Sequence, residues 1–182
     1  MQPKMINLRA NHLKKIEINF LAFCNCALRE PRHLPLSTPQ NRNMVLSVNP
    51  THAQLKKLMA AAKSAAAAAY APYSKFPVGS AVLTTSCKIF TGCNVENASY
   101  GLSNCAERTA IFTAVASGAK RIRCVVVYTP TKHATAPCGA CRQVINEFGP
   151  DARVISFCAE REQIDVSISA LLPGAFGPQD LT

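Results

Sequence analysis

The chain has no tryptophan, and aromatic residues make up only 7% of its 182 residues. So few rings argue against a surface that stacks the successive bases of a single-stranded nucleic acid. Charged residues are also scarce, at 16%, and no apolar run approaches the ~18 residues of a membrane-spanning helix. Hydrophobic residues reach 48%, so the sequence predicts a substantial core and, with little surface charge, burial against other subunits.

Acidic residues are in the minority, with ten Asp and Glu against twenty Lys and Arg and a formal net charge of +10. Such an excess can neutralise phosphates, but its distribution argues against that use. Residues 1–50 hold seven basic and two acidic residues, and residues 51–182 hold thirteen and eight. Because most of the chain is only moderately basic and its charges are scattered, we expect no nucleic-acid partner.

A disulfide framework is not indicated, because the nine cysteines are an odd number. Three of them belong to the motifs described below. The other six lie mostly among apolar residues, where a free thiol behaves as a small hydrophobe: Cys24, Cys26, Cys87, Cys93, Cys124 and Cys158. These thiols favour a reducing compartment, and we expect a cytoplasmic protein.

Residues 1–49 differ from the rest and are interpreted as a basic, proline-containing extension. They offer no periodic apolar face, so we expect the first ~45 residues to be poorly ordered, with Met44 as an alternative start. An apolar stretch at residues 18–28 follows basic residues. Polar residues interrupt it and no small-residue cleavage site follows, so a signal peptide is not predicted, although an N-terminal targeting segment stays open as an alternative.

Residues 50–182 predict one domain of mixed strands and helices, an α/β sandwich. Thr51 and Gln54 have capping-box spacing at the start of the first helix. Gly118 is expected just beyond the end of the second helix. Pro137 is expected in the first turn of the third helix. The expected elements are helices at 51–70, 105–118 and 138–148 and strands at 78–85, 89–95, 124–128, 153–158 and 164–168.

Three cysteines and one acid have the spacing of a catalytic zinc site. Glu107 lies two residues after Cys105, and Cys138 and Cys141 lie three apart, so a helix places both sulfurs on one face. Three thiolates with no fourth Cys or His at ligand spacing leave one position for water, as in a catalytic rather than a structural site. Glu107 is close enough to exchange protons with that water, which is the arrangement of a hydrolase.

The charge of such a site requires compensation. Three thiolates around Zn²⁺ leave a net charge of about −1, which would weaken the effect of the metal on bound water. Cys105 and Cys138 are each expected to start a helix, where free N–H groups and the helix dipole stabilise a thiolate. Arg108 and Arg142 each adjoin a ligand, and we expect at least one of them to hydrogen-bond a ligand sulfur.

Less specific interpretations stay open at this point. The C-x-x-C motif alone also occurs in redox and structural zinc sites, and the C-A-E motif alone is a less specific signal. Because both motifs stand at predicted helix starts, we do not expect their combination to arise by chance. A non-catalytic, zinc-stabilised interaction module remains an alternative, although a structural site has no use for Glu107. His133 precedes Cys138 in a polar loop and is expected to be solvated rather than a ligand.

These motifs resemble the signature of the small, homotetrameric, zinc-dependent cytidine deaminases. The resemblance covers about residues 51–182. It rests on residues 105–110 and 137–143 and extends through residues 73–79, 94–100, 171–173 and 176–178. It implies a three-layer α/β/α sandwich with a mixed sheet of about five strands. It also implies one zinc ion per subunit and a homotetramer with shared active sites, without a nucleic-acid or membrane partner.

By that resemblance the reaction is hydrolytic deamination of cytidine and deoxycytidine to uridine and deoxyuridine, with release of ammonia, in pyrimidine salvage. Cys105, Cys138 and Cys141 would be the metal ligands. A zinc-bound hydroxide would attack C4 of the pyrimidine. Glu107 would carry the proton of the water to N3 and then assist the departure of the amino group.

The resemblance also implies the residues that bind the substrate. Asn94 and Glu96 match positions that bind ribose hydroxyls, and the alternation of a strand separately predicts that both point to one side. Two polar residues on a solvated strand face are the open alternative. Phe76 matches a ring that stacks near the base. The other substrate-binding positions are Ala98, Ala106, whose backbone would hold the pyrimidine, and Tyr100 and Phe176, which would reach a neighbouring subunit's site.

A second enzymatic interpretation is a deaminase of polynucleotide cytosine or of another cytosine nucleoside. Polynucleotide deaminases of this superfamily usually have His where Cys105 stands, and they need surfaces that stack bases and bind phosphates. The low aromatic content and the Asn94 and Glu96 pair favour a free nucleoside, because a carboxylate would repel a phosphate.

Overall fold

A computed structural model describes residues 49–181 of the chain. Their elements, in chain order, are α1 (His52–Ala66), β1 (Gly79–Thr84), β2 (Ile89–Cys93), α2 (Ala106–Ala116), β3 (Ile122–Thr129), α3 (Gly139–Phe148), β4 (Arg153–Cys158), β5 (Gln163–Ser167) and α4 (Ile168–Leu171), with 3-10 helices at Tyr100–Leu102 and Pro178–Leu181. No helix in this range is long and apolar enough to cross a membrane. The predictions of a poorly ordered extension and of a start at Met44 lie outside the described residues.

The five strands form one mixed sheet in the order β2-β1-β3-β4-β5. β3 and β4 pair in parallel, while the other three neighbouring pairs are antiparallel. β1 and β2 form a hairpin, as predicted. The parallel pair requires a crossover, and α3 provides it by lying against one face of the sheet. The predicted mixed α/β architecture is therefore confirmed.

Separate hydrophobic clusters on the two faces of the sheet give the domain three layers. The central strands β1 and β3 are buried along their whole length, so their side chains alternate between the two faces. One cluster packs against α1 and includes Leu58, Ala62, Leu83, Val126 and Ile155. The other packs against α2 and α3 and includes Val82, Ile111, Val125, Ile145 and Val154.

Local sequence determines where α1 starts, whereas pairing with a distant segment of the chain determines where it ends. The Thr51 hydroxyl accepts from the Gln54 N–H at 3.2 Å, and the Gln54 side chain accepts from the Thr51 N–H at 3.0 Å, which confirms the capping box. The prediction that the helix reaches Tyr70 is wrong, because α1 ends at Ala66. Tyr70 leaves the helix to pair with the chain after β2, donating to the Asn94 carbonyl at 3.0 Å.

The end of α2 agrees with the sequence pattern. Gly118 has a φ of 87°, in the left-handed region that glycine adopts at little cost. This conformation lets the Ala119 N–H turn back to the Ala114 carbonyl at 3.0 Å. Gly118 is therefore confirmed as the residue that terminates α2.

Close packing of α2 against β2 occurs at Gly92. A Cβ atom at Gly92 would lie 2.3 Å from the backbone nitrogen of Ala110, so no side chain fits there without moving the helix. Gly92→Ala should therefore lower the free energy of unfolding by about 3 kcal/mol, as expected when a tightly packed contact is overfilled. Urea denaturation measures this loss.

Gly101→Ala is the matched control, because a Cβ there would meet no atom within 4 Å. This variant should unfold within about 0.5 kcal/mol of the parent protein. Equal urea midpoints for Gly92→Ala and the parent would show that α2 does not pack this closely on β2.

Candidate active site

Two helix N-termini bring the three predicted cysteines together. Cys105 is the N-cap of α2, Cys138 is the N-cap of α3, and Cys141 lies buried in the first turn of α3. Pro137 therefore precedes the cap and is not in the first helical turn, which corrects the prediction made for it. Because α2 and α3 pack side by side on the same face of the sheet, their N-termini meet at one point.

The three sulfur atoms lie within 4.8 Å of one another, and the Cys105 and Cys138 sulfurs are 3.8 Å apart. Thiolates are the soft donors that zinc accepts, and three protein ligands are the number that a catalytic zinc site uses. This cluster therefore fits zinc. His133 lies apart from it, exposed to solvent and paired with Glu162 at 2.7 Å.

The pKa values of two cysteines in the cluster are shifted in opposite directions. A hydrogen bond from Cys141 and a second one from Arg108 lower the pKa of the Cys105 thiol to about 5. The pKa of Cys141 is raised, chiefly because its thiol proton is held by the Cys105 sulfur. Cys105 is thus a ready thiolate at the start of a helix, where the dipole favours a negative charge.

Glu107 is the buried acid of the site. It stands in the first turn of α2 with only 5% of its surface exposed, and it lines a cavity beside Cys105 and Cys138. Burial disfavours the charged form and raises the pKa of this carboxyl group above its usual value. A raised pKa makes a carboxyl group a better proton acceptor, as a group that shuttles protons requires.

Arg108 contacts a sulfur of the cluster. Its Nη2 atom lies 3.6 Å from the Cys105 sulfur and 3.3 Å from the Ser103 carbonyl oxygen. The positive charge next to a thiolate offsets part of the negative charge that three cysteines bring to a metal.

The other arginine, Arg142, contacts backbone carbonyl oxygens. Its Nε atom donates to the Pro137 carbonyl and its Nη1 atom to the Leu171 carbonyl, each at 2.8 Å. These partners are backbone oxygens and not a ligand sulfur. Arg142 therefore joins the residue before Cys138 to the end of α4, and it acts on the position of the loop.

A cavity of about 240 Å³ adjoins the cluster. The predicted residues that line it are Phe76, Asn94, Glu96, Ala106 and Glu107, with Cys105 and Cys138. Sequence reasoning did not single out its other wall residues, Ser74, Val78, Ser103, Asn104, Val127, Thr129, Thr135 and Ala136. Val127 and Thr129 belong to a continuous buried strand, a pattern that indicates a core and gives no signal of a cavity.

Three predicted substrate-binding residues stand outside the lining of that cavity. Tyr100 is 76% exposed and lines a neighbouring open pocket together with Tyr73 and Glu96. Phe176 is 57% exposed, and its carbonyl accepts from the Gln143 side chain at 2.9 Å. Ala98 is also exposed. Within one subunit the structure therefore does not bring these three to the cysteine cluster.

Asn94 and Glu96 lie beyond the end of β2, so the regular strand predicted at 89–95 is too long. Both still line the cavity, because Val95 between them pairs with Tyr70 and with Asn104 and keeps the chain extended. The prediction that the two side chains share one side rested on a strand, and the extended pairing of Val95 provides the same geometry.

The amide of Asn94 holds the wall of the cavity. Its Oδ1 atom accepts from the Val78 N–H at 2.8 Å, and its Nδ2 atom donates to the Phe76 carbonyl at 2.9 Å. These two bonds fix the chain that carries the Phe76 ring. One of the two N–H bonds of Nδ2 is used in this way, and the other is a donor that a substrate can use.

Three clustered thiols match the number and kind of protein ligands that a catalytic zinc ion takes, and a buried carboxyl group beside them is what a hydrolytic enzyme uses to move protons. The fold and the site thus define the class of zinc-dependent hydrolytic enzymes.

Comparison with known proteins narrows this class. The cytidine and deoxycytidylate deaminase zinc-binding region matches residues 52–158. A cytidine deaminase of Sporosarcina psychrophila is 44% identical over 129 residues, which cover 70% of this chain and 95% of that protein. A probable cytidine deaminase of Dictyostelium discoideum is 46% identical over 129 residues, or 70% and 87% of the two chains.

Solved structures agree with the sequence relatives. The crystal structure of cytidine deaminase from Burkholderia pseudomallei superposes with a TM-score of 0.65 at 48% identity, covering 70% of this chain and all of that one (100%). The enzyme from Mycobacterium tuberculosis superposes with a TM-score of 0.59 at 37% identity, covering 68% and 97%. The chain belongs to the cytidine and deoxycytidylate deaminase family.

Proposed function

We propose that this protein hydrolyses cytidine and deoxycytidine to uridine and deoxyuridine with release of ammonia. The observation that carries the proposal is one cavity that holds two of the clustered cysteines, the buried Glu107, and the polar pair Asn94 and Glu96. Relatives at 44–46% identity that are named cytidine deaminase, or probable cytidine deaminase, support it.

Cys105, Cys138 and Cys141 are assigned as the residues that hold zinc. When bound, zinc supplies a Lewis acid that lowers the pKa of water. Glu107 takes the proton of the attacking water and passes it to N3 of the pyrimidine. It then takes the proton of the new C4 hydroxyl group and passes it to the amino group, so the C4–N4 bond breaks and ammonia leaves. The raised pKa of Glu107 suits a group that works in both directions.

The walls of the cavity favour a free nucleoside. We assign Phe76 to stacking near the base, the backbone of Ala106 to the pyrimidine, and Asn94 with Glu96 to the sugar. The hydrogen bond from Ser74 is the main cause of a lowered pKa at Glu96, which keeps that carboxylate ionised at neutral pH. A fixed negative charge at the sugar end accepts hydroxyl groups and repels a 5′-phosphate.

The exposed rings suggest how copies of the chain assemble. Tyr100, Phe112 and Phe176 are large apolar side chains left at the surface of one subunit. We propose a homotetramer in which Tyr100 and Phe176 reach the cavity of a neighbouring subunit. The seven cysteines of the described part are free thiols, which supports a reducing, cytosolic setting. A role in pyrimidine salvage follows from the proposed reaction alone.

A substrate panel tests the proposed function. Cytidine, deoxycytidine, cytidine 5′-monophosphate and a short single-stranded oligonucleotide are each incubated with the purified protein, and ammonia is measured. The two nucleosides should react, and the monophosphate should react about tenfold more slowly because of the charge on Glu96. Reaction of the oligonucleotide alone would establish a polynucleotide deaminase. A zinc-containing protein that releases ammonia from none of the four would be a structural zinc module or a deaminase of another cytosine nucleoside.

A further inference from the structure

The loop between α1 and β1 makes a sharp turn at the wall of the cavity. Lys75 has a φ of 56°, in the left-handed region that residues with a side chain seldom adopt. The turn lets the Phe76 N–H donate a hydrogen bond to the Ser74 hydroxyl, with 3.1 Å between the nitrogen and the oxygen. Such a conformation persists where the surrounding contacts hold it, and the contacts here converge on one side chain.

That side chain is Glu96, which receives three hydrogen bonds from the loop. The N–H groups of Tyr73 and Ser74 donate to Oε2 at 2.9 and 3.2 Å. The Ser74 hydroxyl donates to Oε1. A serine hydroxyl has one proton, so this bond leaves its lone pairs to accept from Phe76. The hydrogen bonds therefore run in one direction, from the Phe76 N–H through the Ser74 hydroxyl to the carboxylate.

We propose that Ser74 is a positioning residue that orients the Glu96 carboxylate toward the sugar hydroxyls of the substrate. The proposal rests on the proposed function, in which Glu96 binds the sugar. A carboxylate offers about four acceptor sites, and the loop occupies three of them. About one site is left for a sugar hydroxyl, and its direction is fixed because the other three are held.

The Ser74 hydroxyl matters in particular because it is the contact at Oε1. Both backbone N–H donors bind Oε2, so without the hydroxyl this oxygen has no partner in the loop. The carboxylate can then rotate and be hydrated, and a sugar hydroxyl has to displace water from a mobile group. Binding of the sugar weakens, while Glu107 and the cysteines, which perform the chemistry, are untouched.

Ser74→Ala tests the proposal with two substrates that differ only at the sugar. For cytidine, KM should rise about tenfold while kcat stays within about twofold. For 2′,3′-dideoxycytidine, which lacks the hydroxyls that Glu96 would bind, KM should change less than about twofold. Ser74→Thr keeps the hydroxyl and should restore KM for cytidine to within about threefold of the parent.

Ser64→Ala removes an exposed hydroxyl from α1, away from the cavity, and should leave both KM values unchanged. An unchanged KM for cytidine in Ser74→Ala would overturn the proposal. So would an equal rise for both nucleosides, since that would show a loop held together for structural reasons alone.

The parent protein separates this proposal from the proposed function. If the parent deaminates neither cytidine nor deoxycytidine, the proposed function fails. Calorimetry then tests Ser74 by measuring the dissociation constants of cytidine and 2′,3′-dideoxycytidine. Ser74→Ala should lower the ratio of the dideoxycytidine constant to the cytidine constant about tenfold, because only cytidine binding weakens. An unchanged ratio would overturn the role of Ser74.

Discussion

Glu107→Gln should reduce kcat for cytidine by about 10⁴-fold, with little change in KM. Glutamine keeps the size of the side chain but can neither take the proton of water nor return one to the base. In the proposed reaction one carboxyl group serves both transfers, so its loss affects two steps. Steady-state kinetics on the purified variant measure the effect, and metal analysis should find as much zinc as in the parent protein.

Glu147→Gln is the matched control, because Glu147 is exposed on α3 and outside the cavity. It should retain full activity. If Glu107→Gln turned over cytidine at the parental rate, the assignment of proton transfer to Glu107 would be wrong. The proposed deamination of cytidine would still stand.

Cys141→Ala should abolish both zinc binding and activity. Cys141 is fully buried in the first turn of α3 and provides one of the three sulfurs of the cluster. Two remaining thiols are too few for a stable zinc site, so zinc content should fall from about one ion per chain to less than about 0.1. Elemental analysis after gel filtration gives this number independently of activity.

Cys124→Ala provides a stringent comparison, because Cys124 is equally buried but lies in β3 on the other face of the sheet. Burial raises the pKa of its thiol to about 12, and among the described residues Cys124 lies outside the cluster of metal-binding side chains formed by Cys105, Cys138 and Cys141. This variant should keep its zinc and lose only about 1 kcal/mol of stability. Full zinc content in Cys141→Ala, or loss of zinc in Cys124→Ala, would contradict the assignment of the ligands.

The cysteine cluster could be located from the sequence because its signals are local. Cys138 and Cys141 lie within one helical turn, and both ligand-bearing helices start at recognisable points. The β1–β2 hairpin and the helix between β3 and β4 also follow from local signals, whereas the strand order β2-β1-β3-β4-β5 was not predicted. The two motifs themselves lie 33 positions apart, so joining Cys105 to Cys138 and Cys141 rested on ligand chemistry and on the family resemblance rather than on spacing.

The hydrogen bonds that hold the walls of the cavity could not be predicted, because the bonded residues are distant in the chain. Asn94 holds Val78 and Phe76, which lie 16 and 18 positions away, and Arg142 reaches Leu171 across 29 positions. Tyr70 left the predicted helix for a pairing of the same long-range kind. Neither helix propensity nor residue spacing encodes these contacts, so the roles of Ser74 and Arg142 emerge only from the structure.

Deamination of cytidine in ¹⁸O-labelled water tests the central claim most directly. Hydrolysis places one oxygen of water on C4 of the base, so mass spectrometry should find one ¹⁸O atom in each uridine and one ammonia released with it. Unreacted cytidine, or uridine that forms without the label, would contradict the account.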